Sequence, residues 1–427
     1  MSQSVILTDS HNRTQVEMPV IDGAIPAKSL QKLRVTQDGA GLVSYDPGYQ
    51  NTAPAISSIT MIDGMAGKLL YRGYPIEVLA VASNYLEVAF LLNNGELPST
   101  AAAARWREEI QTHATVDPFI VDLIRSFPRD AHPMGILISA LGAMGTLYPE
   151  AKEVLDSDIR RRQVYRLLGQ LPVVAAHIYC HGQGLEAEEP KADDGYIGNF
   201  LRMVRNFGLE TAEEVPAIRA AMNCLFILHA DHEQNCSTTA MRSIGSSHAD
   251  PYSSMAGAVA ALYGPLHGGA NEAVLRMLEE IESADHVEVF LQRVINREAL
   301  LMGFGHRVYK NMDPRATLIK KLAYSVFEVT GANPKIDLAM ALEQAALGME
   351  YFQARRLYPN VDFYSGIIYQ ALGIPADYYT VLFSIARAAG WLAHWQEQLE
   401  DPAQKIARPK QIYRGPAERA FVPLEQR

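Results

Sequence analysis

Along the first sixty residues, short aliphatic and β-branched runs (SVILTD, LVSYDPGYQ and ISSITMIDG) alternate with Asp, Gly and Pro turn signals. That spacing predicts a few short strands. From Tyr74 onward the apolar positions recur at three and four. PIEVLAVASNYLEVAFLLNNG, RQVYRLLGQLPVVAAHIY and VPAIRAAMNCLFILHADHEQN all read as helices punctuated by Gly or Pro. In GPLHGGANEAVLRMLEEI (264–281) a turn feeds a helix with Ala270, Val274, Met277, Leu278 and Ile281 on one face and Glu279 and Glu280 off it. The stretch from there to about residue 380 is more polar and is broken at TGANPK and RLYPN. VLFSIARAAGWLAHW, after 380, is apolar on nearly every side. The expected fold is therefore mainly α: a large helical domain over 61–275 and 381–427, a smaller inserted helical domain over 276–380, and a strand-rich segment over 1–60.

Length supports more than one domain, since 427 residues exceed what one compact core usually organises. The formal net charge of −10 argues against nucleic acid or an anionic membrane as a partner, because both select a basic face. An anionic ligand must then be gripped by local charges. The longest apolar run, AAMNCLFILHA, is far shorter than the roughly 20 residues of a bilayer span. Cys180, Cys224 and Cys236 have no paired spacing, which fits reduced thiols in a cytosolic compartment. The start, MSQSVILTDSHNRTQVEMPV, has neither a secretory nor an organelle-targeting pattern, so a cytoplasmic location is expected.

Several residues could carry chemistry. His229 and His232 are three apart in ILHADHEQN, which would put them on one helical face beside Asp231 and Glu233. Zinc ligation, hydrogen-bonded structural histidines and a ligand-binding His are all open, although H-E-Q-N-C lacks the second His of H-E-x-x-H. His267 precedes two glycines at a helix start, where free N–H groups discourage an imidazolium. A neutral His there suits donation to a developing oxyanion, and it equally suits a turn-capping role. Arg387 sits in an all-apolar helix and must be paired, either with an internal carboxylate or with an anionic ligand. Asp362 stands at a helix start, either as its N-cap or as a catalytic carboxylate; burial would raise its basicity and the helix terminus would lower it. The run MGFGHRVYKNMDPRA (302–316) concentrates His306, Arg307, Lys310, Asp313 and Arg315 behind Gly303 and Gly305. Glycines there suit a tight turn or a close approach to a ligand.

Together HADHEQN, GPLHGGANE, MGFGHRVYKNMDPR, LYPNVDFYSG, ARAAGW and KIARP resemble the citrate synthase family in order and spacing, with weaker similarity from SYDPGYQNTA onward. The N-terminal strands and the HEQN form resemble its larger bacterial (type II) branch. The resemblance implies a multi-helical citrate-synthase-like fold and condensation of oxaloacetate with acetyl-CoA, followed by hydrolysis of the citryl thioester to citrate and CoA. It implies that Asp362 takes a proton from the acetyl methyl, that His267 donates to the thioester oxygen, and that His306 polarises the ketone. His232, Arg315 and Arg387 would hold oxaloacetate, with Arg408 reaching in from a partner subunit of at least a dimer, or of a hexamer. Lys310 would meet a CoA phosphate, or else remain a solvated surface lysine, and the two glycines would bring backbone close to the nucleotide. No role falls to Arg307, and no metal or cofactor is implied.

Some type II relatives are inhibited by NADH through an Arg-His-Thr run, a Lys and a Cys. Here Thr112-His113-Ala114, Gln170 and Phe207-Gly208-Leu209 occupy those places, while Tyr148 and Arg166 remain. Weak or absent NADH inhibition is expected. Two other readings stand beside citrate synthase: a 2-methylcitrate synthase using propionyl-CoA on the same scaffold, and a non-catalytic helical protein that binds a ligand or metal.

Overall fold

The computed structural model describes residues 3–34, 39–191, 194–209, 215–306, 308–331 and 334–427. Seventeen α-helices and five short strands are found among them. The fold is mainly α, as the apolar spacing predicts. By its internal contacts the chain divides into two units, Met1–Ile56 with Arg408–Arg427, and Ser57–Ala407.

In the first unit, β1 (Ser4–Thr8) pairs antiparallel with β2 (Gln15–Pro19), Ser4 opposite Pro19 and Thr8 opposite Gln15. Val16 and Met18 alternate inward on β2 and join Leu33 in a small apolar cluster. That alternation is what a half-covered strand requires. The LVSYDPGYQ segment is not a strand. Asp46 accepts from the backbone N–H groups of Gln50 (2.9 Å) and Asn51 (3.0 Å), so its side chain closes a turn instead.

The second unit starts with an antiparallel three-stranded sheet, β3 (Thr60–Asp63), β4 (Lys68–Tyr71) and β5 (Tyr74–Pro75). Helices follow. The helix Tyr379–Glu400 is buried continuously from Tyr379 to Trp395. Its sequence is apolar all round because other helices cover every side. The helix Ala270–Ile281 buries Val274, Met277, Leu278 and Ile281 as the spacing predicts.

The helix Pro216–His229 stops at His229, with Ala230 as C-cap. His232 lies beyond its end, so the two histidines do not share a helical face. The turn between them is pressed onto Gly390 of the Tyr379–Glu400 helix: a Cβ at Gly390 would fall 2.4 Å from the Ala230 carbonyl oxygen. Only glycine admits that approach.

Farther along, Pro314–Thr330, Pro334–Gly348 and Val361–Ala371 are tied by one buried carboxylate. Glu343 accepts from Lys320 Nζ at 2.5 Å and from the Tyr364 hydroxyl. The backbone also joins the glycine loop to the last of these helices. Gly305 N–H donates to Tyr358 O (2.8 Å), and Asn360 N–H donates to Gly303 O (2.9 Å).

Candidate active site

Four segments of the second unit converge: the turn after Pro216–His229, the turn before Ala270–Ile281, the loop 302–313, and the start of Val361–Ala371. The buried Tyr379–Glu400 helix backs them. His232 and His306 have ring centroids 5.1 Å apart, and Tyr309 lies against both, 5.7 Å and 4.7 Å away. The Tyr309 hydroxyl is 3.3 Å from His232 Nε2. Burial holds His232 well below the usual imidazole range, and Arg315, His306, Arg387 and His267 all push the same way. Four groups from four segments thus act on one ring.

The protons on the other two histidines follow from fixed donors. Backbone N–H groups of Val308 (3.0 Å) and Tyr309 (3.2 Å) donate to His306 Nδ1. Nδ1 must accept, so the ring carries its proton on Nε2. The Ser237 N–H donates to His267 Nε2 at 3.3 Å, and the Ser237 hydroxyl lies 3.0 Å from the same nitrogen. His267 therefore carries its proton on Nδ1. Burial lowers both rings to about 4, with Arg387 adding to the effect at His267 and Arg315 at His306. Both are neutral hydrogen-bond donors at pH 7.

The two arginines differ. Asp313 caps the helix Pro314–Thr330 and pairs with Arg315, accepting from Nε at 3.1 Å and from Nη2 at 2.9 Å. Burial works against the Arg315 charge, and Asp313 more than reverses that, holding it above its ordinary value. Arg387 is 2% exposed. Its Nε donates to the His229 carbonyl at 2.6 Å, while Nη1 is buried with no hydrogen-bond partner among the described residues. Burial lowers Arg387 to about 10, and Asp231 opposes this through space without touching it. Of the two pairings open in the sequence, an internal carboxylate bonded to Arg387 is not found among the described residues.

Asp362 is not the cap of its helix. Asn360 is, accepting from the Asp362 N–H at 3.0 Å. Asp362 Oδ1 is enclosed without a hydrogen-bond partner among the described residues. Burial raises the carboxyl to about 6, although Arg315 and Arg387 pull it down. Desolvation outweighs the two arginines.

Gly303 and Gly305 have φ of +75° and +78°. A Cβ on Gly303 would meet Val274 Cγ2 at 2.7 Å and Phe363 Cδ2 at 2.9 Å. Gly303 thus lets the His306 loop pack on the Asp362 helix. Lys310 is exposed; its N–H donates to Gly64 O at 2.9 Å, which moors the loop on the β3–β4 turn. Arg408 is exposed and belongs to the first unit. Arg307 lies outside the described residues. Among the described residues no three His, Cys, Asp or Glu side chains are grouped to hold a metal ion.

A family model described as "Citrate synthase, C-terminal domain" matches residues 48–410. The chain belongs to the citrate synthase family. Among its relatives, "Citrate synthase, peroxisomal" of Dictyostelium discoideum is 49% identical over 100% of this chain and 88% of its own length. "Citrate synthase 1" of Mycobacterium tuberculosis is 46% identical over 91% of each. Citrate synthase from Thermoplasma acidophilum, solved as a ternary complex with carboxymethyl coenzyme A and oxaloacetate, superposes with a TM-score of 0.82. It is 34% identical and covers 88% of this chain and 98% of its own.

In this citrate synthase family member, sequence reading finds His232, His267, His306, Arg315, Asp362 and Arg387, and the structure gathers them. It misses Tyr309, the Ser237 contact to His267, and the Asp313–Arg315 pair. Asp-Pro at a helix start is a capping signal that could have exposed the last. Nothing in the sequence announces Ser237, which reaches His267 across thirty positions.

Proposed function

We propose that this chain is a citrate synthase that condenses oxaloacetate with acetyl-CoA and releases citrate and CoA, the entry step of the tricarboxylic acid cycle. The observation that carries the reading is Arg387, a buried cation whose Nη1 has no hydrogen-bond partner among the described residues, near His232, His267 and the desolvated carboxyl of Asp362. A dianion such as oxaloacetate supplies the missing counter-charge, and a planar guanidinium holds a carboxylate with two bonds. In this reading His232, Arg315 and Arg387 hold oxaloacetate, with Arg408 joining from a partner subunit.

Asp362, raised to about 6, is a stronger base than an ordinary Asp and removes a methyl proton of acetyl-CoA. His267 Nδ1–H donates to the thioester oxygen as the enolate forms. His306 Nε2–H donates to the ketone oxygen and makes its carbon electrophilic. The new carbon–carbon bond gives citryl-CoA, whose thioester water then cleaves. No cofactor or metal enters these steps, and Lys310 meets a CoA phosphate.

Closure of a smaller domain over 276–380 onto the 61–275 and 381–427 parts belongs to the same proposal; the Glu343-centred tie among its helices supports its moving as one body. So does a homo-oligomer of at least two subunits, or six. Exposed Ile412, Tyr413, Phe421 and Leu424 in the C-terminal segment support association. The type II assignment is supported by the β1–β2 pair and HEQN, and a cytoplasmic location by three unpaired thiols. Weak NADH response is supported by Gln170 donating to Tyr148 Oη (2.6 Å) and Arg166 to Glu150 (2.5 Å), so these groups are already engaged.

The test is CoA release by chelator-treated protein given oxaloacetate with acetyl-CoA or propionyl-CoA. Oxaloacetate-dependent release from acetyl-CoA is expected. A preference for propionyl-CoA would move the reading to 2-methylcitrate synthase, and no release from either would return it to a binding protein.

A further inference from the structure

Behind the site lies a polar pair that none of the proposed steps uses. Asp231 and His394 are both completely buried, and His394 Nε2 is 3.2 Å from Asp231 Oδ2. They are 163 positions apart, one in the turn that carries His232 and the other on the Tyr379–Glu400 helix that carries Arg387. Gln234 Nε2 donates to His394 Nδ1 at 3.3 Å, which leaves the ring proton on Nε2, facing the carboxylate.

Asp231 is held at Oδ2 and at its backbone N–H and carbonyl, while Oδ1 is buried with no hydrogen-bond partner among the described residues. Its Oδ2 also accepts from the Glu233 N–H at 3.1 Å, across the positive φ of Glu233. Its own N–H donates to the Tyr71 hydroxyl (3.1 Å), which donates to the Asp231 carbonyl (2.8 Å). Asp231 and Glu233 bracket His232, so these bonds set the peptide planes on both sides of it. The same carboxylate is the foremost opposing influence on the desolvated charge of Arg387, whose Nε is anchored to the carbonyl of His229 two residues before Asp231. A buried charge with few bonds persists only where neighbours fix it.

We propose that Asp231 and His394, with Gln234, are positioning residues that lock the His232 turn against the Arg387 helix, setting the geometry and charge of the oxaloacetate end of the site. The inference rests on the citrate synthase reading. It separates two sides of the site: the His232–Arg387 side depends on this pair, whereas His267, His306 and Asp362 are held by other contacts.

The test replaces the ring donor with an apolar side chain of similar size, His394→Leu, and compares His394→Gln, whose amide can still donate toward Asp231. In His394→Leu the KM for oxaloacetate should rise about 10- to 100-fold, with the KM for acetyl-CoA at saturating oxaloacetate within about twofold. His394→Gln should recover most of that loss. Gln234→Leu, at a half-buried position, should raise the oxaloacetate KM about threefold and add nothing to His394→Leu. If His394→Leu does not fold, Gln234→Leu and His394→Gln carry the test through the stabilisation by oxaloacetate in a thermal melt, which should fall in Gln234→Leu before that in His394→Gln.

Equal rises in both KM values, or an unchanged oxaloacetate KM in the soluble variants, would overturn the proposal. Absence of oxaloacetate-dependent CoA release from the wild-type protein would instead overturn the reading beneath it.

Discussion

Asp362→Asn separates function from stability at one atom. Burial raises this carboxyl from 3.8 to about 6, so at neutral pH the folded protein holds a charge it disfavours. A gap of about 2 pH units is worth ~3 kcal/mol when the group is fully ionised, and partial exposure of the residue trims this to about 1–3 kcal/mol. Asparagine keeps the shape and removes the charge.

The sign follows from the raised value. The penalty is absent below 3.8, where both folded and unfolded forms are protonated, and complete above about 6. Denaturant melts at pH 8 should therefore show Asp362→Asn more stable than wild type by about 1–3 kcal/mol, the advantage shrinking toward zero near pH 4. His229, His267 and His306, lowered by burial to about 3, 4 and 4, act oppositely. They take up protons more readily unfolded, so they remove stability as pH falls below 6.5, equally in both proteins. CoA release should meanwhile drop about 10²- to 10⁴-fold in the variant, the usual contribution of a general base. An Asn variant that is less stable at pH 8, or one whose difference from wild type is independent of pH, would refute the desolvated-base argument.

Three further outcomes are expected. In a pH–rate profile the wild-type kcat/KM should fall as pH drops through about 6, where Asp362 takes a proton, with no second inflection between 5 and 8, because His267 and His306 stay neutral down to about 4; a profile flat from pH 8 to 5 would refute the raised carboxyl. Arg387→Lys should cut oxaloacetate binding, measured by calorimetry, by about 10- to 100-fold, because an ammonium cannot keep both the His229 carbonyl bond and a two-point carboxylate grip. Gly303→Ala should lose at least about 1–3 kcal/mol in a denaturant melt, since it combines φ of +75° with a Cβ 2.7 Å from Val274; an unchanged midpoint would show that the loop relaxes freely.

Much of this site is legible in the chain because its residues sit in short, dense runs. Ordered motifs bring out His232, His267, His306, Arg315, Asp362 and Arg387. What the motifs leave open is the state of each group. Arg315 and Arg387 look equivalent as letters, yet Asp313 neutralises one and the other has an Nη1 without a hydrogen-bond partner among the described residues. LVSYDPGYQ has strand composition and becomes a turn because Asp46 captures backbone N–H groups before a neighbouring strand can.

By itself the sequence determined the helical class, the apolar faces, the negative net charge and the residue types available for chemistry. These follow from local spacing and summed charge, which one dimension records. Tertiary structure decided which histidine nitrogen carries the proton, that burial outweighs Arg315 and Arg387 at Asp362, and that Asp231 meets His394 across 163 positions. Those outcomes depend on desolvation and on donors from distant segments, and both arise only when the helices have packed.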